Sequence, residues 1–115
     1  MEAFSRQGDY WTIRYSGRRV RLRNTKGIGY LSVLLGNPGT RVHVSILSGR
    51  AAPASDPQRV EQERLNVTKG IQVAIRRIGE QQPELGRHLQ RSIRTGRYCS
   101  YSPVLSGPLG PPEAP

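Results

Sequence analysis

Two groups of polar side chains in this 115-residue chain have the types and spacing to recognise an anionic polymer. The first is Asn66, Lys69, Gln72, Val73, Arg76 and Arg77. At about 100° per residue these gather on one side of a helix, with Val67, Ile71, Ala74, Ile75 and Ile78 on the other. The second is Arg91, Arg94 and Arg97, the last two flanking a Thr95-Gly96 turn. The planar arginine fork matches phosphate oxygens and the guanine O6/N7 edge, while lysine is a point charge. The amides of Asn66 and Gln72 suit the adenine edge, and Val73 suits a thymine methyl. Any basic helix turns its cations outward, so an acidic protein partner or RNA fits this pattern as well.

The bulk charge agrees. Lys and Arg number 18 against 8 Asp and Glu, a formal charge of +10, and 16 of the cations are Arg. Catalysis has little to draw on. His43 and His88 stand apart, without a carboxylate at motif spacing, and read as surface or packing residues. Cys99 has no neighbouring Cys or His, which argues against a metal site and for a structural thiol. Gly27-Ile28-Gly29 begins like a phosphate loop, but Ser32 stands where the third glycine belongs and no Gly-Lys-Ser/Thr follows. The expectation is therefore a binding protein, not an enzyme, with no catalytic residue, metal or cofactor. A single cysteine cannot form an internal disulfide, which fits a cytoplasmic protein. No apolar run approaches the roughly 20 residues needed to span a bilayer, and no secretory signal opens the chain, so no membrane partner is expected.

The elements that must hold these side chains follow from periodicity. Residues 1–8 read as a short leader. Asp9 to Tyr15 and Arg19 to Arg23 alternate with period two around Ser16-Gly17, an N-terminal hairpin. Trp11, Ile13, Tyr15, Val20 and Leu22 face inward, and Arg14, Arg19, Arg21 and Arg23 outward. Asn24 or Thr25 caps a helix to about Leu35, which Gly36-Asn37-Pro38-Gly39 stops. Val42-His43-Val44 is β-prone, Ser45-Ile46-Leu47 a stunted helix, and residues 48–55 a loop. Asp56-Pro57 starts a helix to about Gly79, in which Gly70 marks either a close backbone approach or a break into two helices. Pro83 opens another helix with Leu85, Leu89 and Ile93 stacked. A hairpin over Ile93 to Tyr101 follows, and residues 103–115 form a Pro/Gly-rich disordered tail.

In this order, Arg18-Arg19-Val20-Arg21-Leu22, Lys26 with Tyr30-Leu31 and Leu34-Leu35, Pro38-Gly39 and Val42 resemble the winged helix-turn-helix effector domain of response regulators and antibiotic-type regulatory proteins. Ile75-Arg76-Arg77-Ile78 is similar to the end of that family's recognition helix, and Arg94-Thr95-Gly96-Arg97-Tyr98 is an abbreviated match to its wing. The run from Tyr10-Trp11-Thr12 to Tyr98-Cys99-Ser100-Tyr101 also resembles C-terminal segments of large bacterial ATPase-type regulators. The resemblance implies an α+β winged helix-turn-helix over residues 9–102, with three to four helices and a C-terminal hairpin wing. It implies double-stranded DNA as partner, transcriptional regulation in a bacterial setting, and a homodimer on paired half-sites. On that reading the Asn66–Ile78 face enters the major groove. Arg94 and Arg97 on the wing hold phosphates or the minor groove, and Arg91 and Arg41 add backbone contacts. Two departures stand out: a very short second helix, and an extra helix over residues 83–92 before the wing. A protein-interaction module with a basic face for an acidic partner, or an RNA- or ribosome-associated role, is the alternative.

Overall fold

The N-terminus is where the structure departs most from the sequence reading. In the computed structural model, which describes residues 3–15 and 17–102, the supposed leader is a strand. Strand β1 (Ala3–Gln7) pairs antiparallel with β2 (Tyr10–Tyr15), which pairs with β3 (Arg18–Arg23) in a three-stranded meander. Gly8 turns the chain with φ 62°, and the Phe4 ring meets Trp11 edge-on at 6.2 Å. One large apolar residue in five gives no visible period, so only the cross-strand contact defines β1. The expected alternation in β2 and β3 holds: Ile13, Val20 and Leu22 are buried while Arg14, Arg19, Arg21 and Arg23 are exposed. Met1, Glu2, Ser16 of the expected turn and the 103–115 tail lie outside the described residues.

Helix α1 (Lys26–Leu35) is capped by Thr25, whose hydroxyl accepts from the Ile28 amide at 3.3 Å, and it buries Ile28, Leu31 and Leu34. Strand β4 (Val42–His43) leads into the single turn of α2 (Val44–Leu47). Helix α3 (Pro57–Gln81) starts where Asp56 accepts from the Gln58 amide at 3.0 Å and runs 25 residues unbroken. Gly70 marks close approach, not a break. A Cβ on Gly27 of α1 would overlap the Gly70 carbonyl. After Gln82, helix α4 (Pro83–Ser92) crosses α3 just as tightly, since a Cβ on Gly86 would stand 2.6 Å from the Gly79 Cα. Two crossings at glycine, the first flanked by Tyr30 and Ala74, thus hold α3 between α1 and α4.

Strands β5 (Ile93–Arg94) and β6 (Tyr98–Tyr101) form the expected hairpin, and β4 adds to the far side of β6 in a second sheet of order β4-β6-β5. Gly96, at φ 149°, supplies the turn. Among the described residues the fold is α+β, with four helices and two small antiparallel sheets. Its core joins Ile13 and Val20 of the meander to Leu31 and Leu34 of α1, Ile71 and Ile78 of α3, and Leu85 and Leu89 of α4. His88 of α4 lies against the Tyr15 ring at 5.5 Å, and its Nε2 is 2.7 Å from the Tyr101 hydroxyl, tying meander, α4 and hairpin together.

Candidate nucleic-acid interface

Helix α3 is amphipathic because its apolar residues recur at helical spacing, and burying them against α1 and α4 turns the intervening polar residues outward. Asn66, Lys69, Gln72, Arg76 and Arg77 are all exposed, and Val73 is half-buried. The structure divides them between two grooves on either flank of α3. Asn66, Lys69 and Val73 line a groove of about 980 Å³ against the start of α1, where Lys26, Arg50 and Arg59 also stand. Gln72 and Arg76 line a second groove, of about 660 Å³, whose opposite wall is Arg87 and Gln90 of α4 and whose end is Thr95 of the hairpin. Arg77 lines neither groove.

Arg91 is exposed in the last turn of α4, and Arg94 is exposed on β5 opposite Ser100. Arg97 is exposed in the turn; its carbonyl accepts from the Val44 amide at 3.0 Å, which fixes the turn onto the start of α2. Arg41 stacks over the Tyr98 ring at 4.7 Å, and His43 meets the same ring edge-on at 5.0 Å.

The acidic residues of α3 are largely spoken for. Glu63, buried, accepts from the Ser45 hydroxyl at 2.5 Å and from Arg50 Nε at 2.6 Å. These two bonds, the hydroxyl's first, hold its carboxyl below the ordinary range against the opposing effect of burial. Ser45 Oγ also accepts from the Ala54 amide at 3.1 Å, so the cluster anchors the 48–55 loop to α3. Glu61 is lowered chiefly by its hydrogen bond to Arg64, at 2.6 Å, with Arg97 adding a smaller electrostatic pull. From Asn66 to Arg77 the helix carries no carboxylate.

Lys26, Arg50 and Arg59 of one groove and Arg87 and Gln90 of the other were missed by the sequence reading, and the last two are the most telling. Their signal was present: Leu85, Leu89 and Ile93 face inward, which leaves both residues outside. Reading α4 as an insertion, instead of as the helix that leads into the hairpin, hid it. The other chemistry-bearing residues serve packing. His43 Nδ1 accepts from the Ser45 amide at 3.0 Å and caps α2. Cys99 is buried in β6, and burial pushes its thiol up, away from the reactive thiolate form. Among the described residues, no three His, Cys, Asp or Glu side chains group as metal ligands, and no helix is long and apolar enough to cross a membrane. No protein-family model, curated protein or solved structure matches the chain.

Proposed function

We propose that this chain is a winged-helix-type domain that binds double-stranded DNA and acts in transcriptional regulation. The observation that carries the reading is the exposed surface of α3 from Asn66 to Arg77. It presents Lys69, Arg76 and Arg77 with two amide side chains and no carboxylate. The chain order supports it: a helix, a strand, a one-turn helix, two longer helices and a hairpin, with the inter-helix strand added to that hairpin. In such an arrangement the helix directly before the hairpin contributes to the interface. Arg87, Gln90 and Arg91 of α4 therefore join Gln72 and Arg76 across their shared groove, while Lys69 and Asn66 engage the duplex from the α1 side. Arg94 holds a phosphate.

The test is a salt titration of binding to random duplex DNA, single strands and structured RNA, alongside a Lys69→Glu/Arg76→Glu/Arg77→Glu variant. For duplex DNA, log K should fall linearly with log salt, by about 0.9 per neutralised phosphate, and the variant should lose the affinity. Absent or salt-insensitive duplex binding would sink the reading. Tighter binding to structured RNA than to duplex would favour an RNA-associated role. One feature favours an acidic protein partner as the second reading. The hairpin is short, with two-residue β5, and Arg97 shares the field of Glu61, so it offers little wing to grip a groove.

A further inference from the structure

The outer face of the meander carries a charge pattern that folding does not explain. Strand register sets Arg14 directly opposite Arg19, Thr12 opposite Arg21 and Tyr10 opposite Arg23. These residues share the face turned away from buried Ile13, Val20 and Leu22, and all four arginines are exposed. Side chains two apart on a strand are separated by roughly 6.8 Å, and neighbouring strands by about 4.8 Å, so the four cations crowd one small patch. None of the three strands contains an Asp or Glu to offset them. Like charges directly opposite each other destabilise a sheet. Such a pattern costs stability unless an anion covers it.

We propose that this face is a second nucleic-acid site, gripping phosphates without reading bases, so that one domain holds two nucleic-acid segments. The proposal takes its partner class from the DNA reading but does not depend on α3. Charge complementarity selects the occupant. A protein interface draws its energy from apolar or aromatic anchors seated in pockets. Here the one exposed aromatic, Tyr10, already lies under the Arg21 guanidinium at 4.7 Å. A phosphate backbone needs only spaced cations, and the arginine fork matches its oxygens bidentately. Stacking of splayed bases needs several exposed aromatics on one sheet, so the contact is to backbone and indifferent to sequence.

The experiment uses the full chain and two duplexes of unrelated sequence, each labelled with one member of an energy-transfer pair. Wild type should bring the duplexes together. An Arg14→Gln/Arg19→Gln/Arg21→Gln/Arg23→Gln variant should keep a one-to-one complex and lose bridging, while the four Arg→Lys exchanges should retain it. The α3 triple variant isolates the meander site. Its residual duplex affinity should fall ~10²-fold between about 50 and 200 mM salt, the effect of four phosphate contacts, equally for every sequence. Circular dichroism and melting should show the glutamine variant folded with an unchanged or higher Tm. No bridging by wild type when the α3 triple variant also loses its affinity, or bridging undiminished in the glutamine variant, overturns the proposal. So does tighter capture of a polyglutamate peptide than of duplex. If the α3 variant binds like wild type and the glutamine variant loses all binding, the α3 reading falls and the meander site stands.

Discussion

Arg76 is exposed and lines the α3–α4 groove together with Arg87 and Gln90. If it reads a base edge, Arg76→Ala should weaken duplex binding by about 1–3 kcal/mol and relax preference at one base position. Anisotropy measurements on a duplex library check this; an equal loss on every sequence would reassign Arg76 to a phosphate. Glu63 makes a prediction about the free chain. Its carboxyl is lowered in the folded state by the Ser45 and Arg50 bonds, so the unfolded chain takes up that proton first as pH falls. The stabilisation is complete well above the ordinary glutamate value of about 4.3 and is lost as pH falls through the lower folded value. Glu63→Gln should therefore lower Tm near neutral pH and make Tm less sensitive to acidification below the ordinary glutamate value. A melting series that drops as steeply with acid in the variant as in wild type would rule this out.

At the scale of elements, the two glycine crossings decide whether α3 can occupy its place. Gly27→Ala and Gly86→Ala each force backbones apart, and overpacking of this kind costs roughly 1–3 kcal/mol or more. Gly29→Ala in the same helix has open space around its Cβ and should gain up to about 1 kcal/mol from helix propensity. Denaturant melts of the three variants test the contrast; equal effects at Gly27 and Gly29 would dismiss the crossing. Much of this architecture was legible in the chain. Period two marked β2 and β3, Asp56-Pro57 marked the start of α3, and Leu85, Leu89 and Ile93 marked α4. Strand β1 was not legible, because its order comes from pairing with β2 and from a Phe4–Trp11 contact seven positions apart in the sequence. The division of Asn66, Lys69 and Val73 from Gln72 and Arg76 was also hidden. A helical wheel shows a common side, but which neighbours wall each flank is set by α1 and α4 crossing at Gly70 and Gly79.

The described residues form a slab of 42 × 39 × 20 Å, and that shape brings nearly all of the cations to solvent. Only Arg64 among the 18 is half-buried, and among the described residues ion pairs engage Arg50 and Arg64 alone. Self-repulsion of this kind destabilises the free chain and is screened by salt. Moderate salt should thus raise the Tm of the free chain while weakening the proposed contact with nucleic acid, two opposite trends measurable in one buffer series. A Tm that falls with added salt would contradict it. Arg19→Gln, which removes one of two like charges set opposite each other across β2 and β3, should stabilise by roughly 0.2–1 kcal/mol at low salt. Where backbone comes as close to backbone as at the two glycine crossings, few rotamers can flip, which stiffens the joints of α3 with α1 and α4. The amides of α3 from Ile71 to Ile78 should then exchange with deuterium only when the entire domain opens, and a pull on one end of α3 should reach the hairpin as displacement of a single rigid frame.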